Sequence, residues 1–562
     1  MRRGVKITIA LGAAILCAPL ILAAIGFVVG LCLYLTADFN KPTTPVDLSK
    51  YELSVDTDSL RVCGDSWLML NRSGLWEAYI EGNSFELGAK YGVMSSDLLE
   101  RQEDVFVNQI HEMIPSEWWV DFLHKLIIIF NRNIADYIPE QYCEEIYAMS
   151  LSCTDKYNSY GNPYVRQLNY HAAHDIGHAM QQYMLVGCSS FACWGDNSDA
   201  QGLLVGRNFD FWVGDDFAKN KVVLFVEPED GYRFASISWP GMMGVLSGMN
   251  ECGLTITLNA AKGAIPTSSA IPISLLARHI LQYASNIDEA YNIASQYKTF
   301  VSESLLIGSA KDGCAAIIEK TPEKMALYRG SDSSIICTNH YQSSLFAEDE
   351  YNVENIATSD SPYRYQRLEE LLTQASPVSV DEAVGVLRNR YGLGGADIGL
   401  SNEKSLNQFI AHHSIVFEPE KLRFWVSTSP WQLGEYLCYD LNDVFDRERT
   451  VKESCARYEY SIAADSLALD DEYVRVCRYR EHYRTITSAI DSGEALSQEF
   501  IEEVEANNPH YFQVYNTLGD YEFSRGNIEQ AVAYWQRALT LEMPRTTDYE
   551  AVKSKIQKYD TR

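Results

Sequence analysis

Gly187-Cys188-Ser189-Ser190-Phe191, followed after a short turn by Gly206-Arg207-Asn208-Phe209-Asp210, is the stretch on which the reading of this chain turns. A thiol of unperturbed pKa ~8.5 is mostly protonated at neutral pH and reacts only with a proton acceptor beside it. The competing reading is a glycine-flanked buried cysteine, taken alone the commoner situation. After Cys188 the hydrophobic period becomes two. Leu203 to Asn208, Val222 to Val226, Arg233 to Trp239 and Leu254 to Asn259 read as successive strands, with turn residues at Glu229-Asp230-Gly231 and Asn250-Glu251-Cys252-Gly253. Leu254, Ile256 and Leu258 face one way; Thr255, Thr257 and Asn259 face the other.

Further on, helices are expected from Ile273 to Ala284 and from Asn286, where Glu289 stands at the capping-box position. Strands follow at Leu305 to Gly308, Cys314 to Lys320 and Ile335 to Asn339. Helices come near Tyr363 to Thr373 and from Ser379, and strands return at Ser414 to Phe417 and Arg423 to Ser427. Antiparallel blocks alternating with helix pairs suit an α+β fold with four layers, α/β/β/α. Upstream of the cysteine, residues 41–60 read as a polar linker and Ser84 to Met184 as helical, with Ser84-x-x-Leu87 opening the first helix.

The chain has 562 residues, 46% hydrophobic and 12% aromatic, which is a globular composition. A formal net charge of −30 argues against a nucleic-acid partner, because phosphate binding needs clustered Lys and Arg. Ile7 to Leu35 is one uncharged apolar run, preceded by Arg2, Arg3 and Lys6 and followed by Asp38. It exceeds the ~20 residues a bilayer-spanning helix needs and the ~7–15 of a signal-peptide core. The expectation is a signal anchor with a cytoplasmic N-terminus and everything after about Asn40 extracytoplasmic, periplasmic or luminal. Two of the 13 cysteines lie in that run, leaving 11. If the rest pair, one stays free, and Cys188 is the candidate.

From Gly187 to about Tyr439 the chain resembles the isopenicillin N acyltransferase family and, more distantly, the bile salt hydrolases and penicillin V acylases. The resemblance implies an N-terminal-nucleophile (Ntn) hydrolase sandwich in which the chain cuts itself at Gly187-Cys188. The freed α-amine, pKa ~8, then serves as the cysteine's own base. It further implies Cys188 as nucleophile, Asp210 holding the α-amine, and Arg207 favouring thiolate. Asn259 and Asn339 match the asparagines around the oxyanion hole, and Arg364 a second arginine near the site, with Arg367 one turn away as the other choice. The implied reaction is hydrolysis or transfer of the acyl group of a small N-acyl amide or peptide-like substrate, with no cofactor and no metal.

This divides the chain into an anchor (1–40), a helical pro-segment (41–187), a catalytic domain (188–450) and a helical end (451–562). In the last, Tyr515, Leu518, Gly519, Ala531, Trp535 and Ala538 fall as in a tetratricopeptide repeat, either a protein-partner surface or a packing appendage stacked on Asp471 to Ala506. His171, His174 and His178 share one helical face, but HExxH is absent; they are expected to line or pack near the active-site cleft rather than hold a metal. Two other function classes remain: a papain-like thiol protease pairing Cys188 with His340 or His412, and a non-catalytic anchored scaffold.

Overall fold

The computed structural model describes residues 25–26, 28–44, 47–172, 175, 185–199, 202–266, 268–330, 333–446 and 453–559. Most of the apolar run 7–35 lies outside them, and among the described residues no helix is long and apolar enough to cross a membrane.

Two sheets stack face to face. The larger has eleven strands, running from Val55–Asp56 at one edge through Trp76–Gly82, Val222–Pro228 and Leu254–Ala260 to Met325–Arg329 at the other. The smaller has the path Ser334–Cys337, Ser189–Cys193, Leu204–Trp212, Ala411–Glu418, Arg423–Ser427, Tyr436–Asp440, with Leu185–Val186 also pairing Leu204–Trp212. Val205, Phe225, Ile317, Ile415, Phe417 and Phe424 fill the space between them. Leu98, Leu99, Ile146, Leu276 and Ile280 bring helices onto the outer face of the large sheet. Leu368, Leu372, Val384 and Leu387 bring Ser361–Ala375 and Val380–Leu387 onto the outer face of the small one. This is the four-layer sandwich expected.

Each strand therefore has both faces covered, and the alternation read in Leu254–Ala260 separates two interiors. Leu254, Ile256 and Leu258 meet the helices, whereas the Thr257 and Asn259 side chains reach Ser190 on the opposite sheet. The helix starts follow cap chemistry. Ser379 and Glu382 close a full capping box, and Asn286 accepts from the Glu289 amide. The first long helix, Ser84–Met113, is capped by Asn83 with Glu86, one residue before the expected start. Its Gly88 faces helix Glu140–Ser150 so closely that a Cβ would lie 1.9 Å from the Glu145 carbonyl oxygen.

The segment before the cysteine departs from a purely helical piece. Leu60–Cys63, Ser66–Leu70 and Trp76–Gly82 form strands, and the last pairs in parallel with Val222–Pro228 over seven residue pairs. Every other named strand pairing is antiparallel. Cys188 is free, and no disulfide joins any of the described cysteines. Asn71, in the sequon Asn71-Arg72-Ser73, is buried and donates to Glu77 Oε1 at 2.8 Å, so it is not displayed for glycosylation.

The C-terminal helices form one cluster in which Leu518, Ala531, Trp535 and Ala538 pack on Ile486, Ala489, Ile501 and Val504, the stacking expected. At Gly519 a Cβ would lie 2.4 Å from the Trp535 ring. The cluster docks on the sandwich: Asn508 exchanges hydrogen bonds with the backbone of Leu400, at 2.9 Å each way, and Lys404 pairs with Glu542.

Candidate active site

Cys188 stands immediately before strand Ser189–Cys193, fully buried. Antiparallel pairing sets Ser190 opposite Arg207 and Ser189 opposite Asn208, and the Gly187 amide donates to the Asp210 carbonyl oxygen at 3.2 Å. Three residues apart on one strand, Arg207 and Asp210 project to opposite faces, so they serve different parts of the cysteine. Arg207 enters the space between the sheets and places Nη2 3.7 Å from Cys188 Sγ. Its guanidinium is held by the Leu246 and Leu258 carbonyl oxygens and by Ser247 Oγ, and lies 4.4 Å over the Phe209 ring.

Arg364, in the first turn of helix Ser361–Ala375, takes hold of the main chain at the cysteine. Its Nη1 donates to the Gly187 carbonyl oxygen (3.0 Å), the Cys188 carbonyl oxygen (2.7 Å) and Ser189 Oγ (2.9 Å). Nη2 donates to Asn339 Oδ1 at 2.7 Å, and Asp360 pairs with Nε. Arg367, the other choice, instead bonds Asn389 and Glu370. The Gly187 carbonyl has a second donor, Gln408 Nε2 at 3.3 Å. A Cβ on residue 187 would sit 2.6 Å from that same nitrogen, so a larger residue there would displace the Gln408 amide from the carbonyl.

The two asparagines are committed to the framework. Asn259 accepts from Ser190 Oγ (2.8 Å) and donates to the Cys337 carbonyl (3.0 Å), which ties the two sheets together beside Cys188. Asn339 donates to the Ala260 carbonyl at 2.7 Å and accepts from Arg364.

Burial dominates the electrostatics. It pushes the Cys188 thiol up; Arg207 opposes that, while Asp210 and Glu303 reinforce it. The Asp210 carboxyl, also fully buried, is raised to about 8 by burial, with Arg364 and Arg207 pulling it back. Neither Asp210 oxygen has a hydrogen-bond partner among the described residues. In the intact chain the site thus holds a neutral thiol and a carboxyl poised for a cationic partner.

His171, expected to line or pack near the cleft, is a fully buried packing element. Its Nδ1–H donates to the Gln167 carbonyl (2.7 Å) and its Nε2 accepts from the Met243 amide (2.9 Å). Burial drops its pKa to about 4, consistent with that neutral tautomer. His174 and His178 lie outside the described residues. No histidine among the described residues hydrogen-bonds Cys188, as the papain-like reading needs: His340 bonds Ser361 and Thr338, His412 bonds His413, and the donor to Cys188 Sγ is Arg207.

Sequence reasoning missed Gln408, Ser247 and His413. His413 Nε2 lies 2.8 Å from Ser247 Oγ, the group that also receives Arg207, and His413 Nδ1 lies 2.9 Å from His412 Nδ1. The His412-His413 pair at the start of strand Ala411–Glu418 is the local signal that could have found it.

Residues 195–428 match the family model of acyl-coenzyme A:6-aminopenicillanic acid acyl-transferase. The match takes in Arg207, Asp210, Asn259, Asn339, Arg364 and Gln408 and begins downstream of Cys188. The chain is therefore similar to an acyltransferase family across the middle of the sandwich. An uncharacterized protein of Archaeoglobus fulgidus is 24% identical over 404 residues, 64% of this chain and 65% of that protein. Protein dcd1B of Dictyostelium discoideum is 23% identical over 269 residues, 44% of this chain and 51% of its own. The chain spans between half and two-thirds of the length of these curated relatives. Among solved structures, the Caenorhabditis elegans N-acylethanolamine-hydrolyzing acid amidase ortholog aligns at 15% identity and a TM-score of 0.31, covering 42% of this chain and 93% of that one.

Proposed function

We propose that this chain is a self-processing cysteine hydrolase of the Ntn type that acts on linear N-acyl amides, passing the acyl group through a Cys188 thioester to water or to an amine. The observation that carries the reading is the Gly187 carbonyl: it sits between a fully buried cysteine and two donors, Arg364 Nη1 and Gln408 Nε2. Donors converging on a backbone carbonyl beside a nucleophile are the arrangement that stabilises a tetrahedral oxyanion.

In the first stage Cys188 Sγ loses its proton and attacks the Gly187 carbonyl carbon. Arg364 and Gln408 hold the oxyanion. The Gly187–Cys188 C–N bond breaks as the cysteine nitrogen takes a proton, leaving a thioester. Water cleaves the thioester to a Gly187 carboxylate and the free thiol. The proton released by thioester hydrolysis goes to solvent, and the new neutral α-amine supplies the hydrogen-bond donor that the buried Asp210 oxygens lack among the described residues, which would hold that amine beside Sγ as the base. In the second stage the α-amine of Cys188 accepts the thiol proton, the thiolate attacks the substrate amide, and the amine leaves with the proton. Arg207, beside Sγ, favours the thiolate throughout. No step calls on a metal or cofactor.

The family match favours acyl transfer or amide cleavage on a small N-acyl substrate. The run 7–35 supports placing the chain at a membrane with its sandwich on the extracytoplasmic side.

Intact mass and N-terminal sequencing of the purified protein, wild type beside Cys188→Ala, test this. A chain beginning at Cys188 in the wild type and absent from the variant is the expected result. A single uncut chain in both, under reducing conditions at several pH values, overturns self-processing.

A further inference from the structure

Helix Glu117–Phe130 turns four large apolar side chains outward. Trp118 is 69% exposed, Trp119 40%, Phe122 38% and Leu126 45%. Spacings of three and four put them in one stripe along the helix. Their rings support one another, with Trp118 and Phe122 stacked 5.7 Å apart and Trp119 and Phe122 5.2 Å apart. Glu117, Asp121 and Lys125 form a charged row along the edge of that stripe, with Lys125 Nζ 2.6 Å from Asp121. Val120 and Ile128 hold the opposite face against the body. A soluble surface rarely shows such a contiguous aromatic stripe, whereas tryptophan-rich amphipathic helices are at home at the headgroup boundary of a bilayer.

The beginning of the chain arrives at the same side. The helical stretch 28–35 exposes Val28, Val29, Leu31 and Leu35. Its Tyr34 packs on the main core and lies within electrostatic reach of Lys125 on helix Glu117–Phe130. Just beyond, Asn40 donates to Asp136, and Thr44 to Glu144 at 2.6 Å, which fixes the chain against the helices next to Glu117–Phe130. In the sequence the apolar run reaches back from this point to Ile7. An apolar stretch and an exposed aromatic stripe meeting on one side have one occupant in common.

We propose that the face made by Trp118, Trp119, Phe122 and Leu126 seats in the headgroup–acyl boundary of a phospholipid bilayer. The sandwich then lies against the membrane instead of hanging from a tether. The helix lies parallel to the surface, with its Glu117/Asp121/Lys125 row at the water line. Apolar burial supplies the attraction, so zwitterionic lipid suffices. This inference stands on exposed surface and is independent of the chemistry proposed for Cys188.

The test uses full-chain protein reconstituted in phosphatidylcholine vesicles whose acyl chains carry bromine, which quenches tryptophan fluorescence on contact. Trp118→Phe/Trp119→Phe keeps the face apolar and removes its reporters. Wild type should be quenched and the double variant should lose most of that quenching, with unchanged circular dichroism. Equal fractional quenching in the two overturns the proposal. Vesicle flotation reads residues 7–35 separately: a chain that floats while Trp118 and Trp119 stay unquenched keeps the anchor and overturns the docked helix, and one that does not float overturns both. As a second measurement, hydrogen exchange over residues 117–126 should slow on vesicles. Slowing that follows protein concentration instead of lipid would assign the face to a second copy of the chain and overturn the bilayer.

Discussion

Residues before Gly187 and residues after it differ in sequence far more than they do in the fold. The first part reads as a helical piece that a cut would set loose; the second reads as sheet. In the structure both contribute strands to one sheet, joined where Trp76–Gly82 lies parallel to Val222–Pro228. The junction is reinforced by a fully buried ion pair across it, Arg278 with Glu145 at 3.2 Å. On the proposed mechanism the Gly187–Cys188 bond would lie inside one sheet-linked body, and cutting it would change the chemistry of one residue without dividing that body.

The most demanding way to break this comparison is to attack the junction. Glu145→Ala leaves the buried Arg278 guanidinium without its carboxylate and should cost about 3–5 kcal/mol. In urea the cut wild type should lose both pieces in one transition; the variant should lose them earlier, and two separate transitions would refute a shared unit. Next comes the scissile carbonyl. Arg364→Lys gives up the fork that spans residues 187, 188 and 189, and should slow cleavage ~10²–10³-fold in a timed mass assay. Gly187→Ala, which drives a Cβ against Gln408, should fall in the same range, and cleavage at wild-type rate in both would remove the oxyanion role.

A smaller effect is expected at Ser247. Its hydroxyl positions Arg207 without touching the sulfur, so Ser247→Ala should lower activity about tenfold, the worth of one hydrogen bond near 1.4 kcal/mol. It should also raise the pH at which Cys188 reacts with iodoacetamide, a shift that a merely structural serine would not produce.

The smallest effect is a slope. Asp210 in the intact chain has its pKa raised from 3.8 to about 8. Its contribution to stability is therefore full below the ordinary carboxylate value and is lost as pH rises through about 8. In uncut Cys188→Ala protein, urea stability should fall over that window by at most about 1.4 kcal/mol per pH unit on this account. Adding Asp210→Asn should flatten the fall, and an unchanged slope would refute the burial of a costly carboxyl.

Much of the sandwich could be read in advance because its strands alternate or are rich in β-branched residues. Cys314–Lys320 and Arg423–Ser427 have their expected bounds. The strands of residues 55–82 were not legible. Ser66-Trp67-Leu68-Met69-Leu70 is covered on both faces, which erases the period of two that would mark it. At the site, residues near Cys188 in sequence could be named, and the helix spacing left Arg364 and Arg367 equivalent until the fold chose. Gln408 and Ser247 have no local mark at all, since a glutamine in a loop and a serine opening a strand gain meaning only from the groups the fold brings to them. His171 is the opposite case: a conspicuous local pattern whose buried member satisfies a backbone carbonyl and an amide.

One feature sets a clock. The donors on the Gly187 carbonyl come from Arg364 and Gln408, 177 and 221 residues downstream. A nascent chain emerging N-terminus first carries the Gly187–Cys188 bond long before it carries these donors. On the proposed mechanism, self-cleavage has to wait for translation past Gln408 and for both sheets to close. The new N-terminus at Cys188 would then be a certificate of completed folding, and truncated or misassembled copies would stay inert.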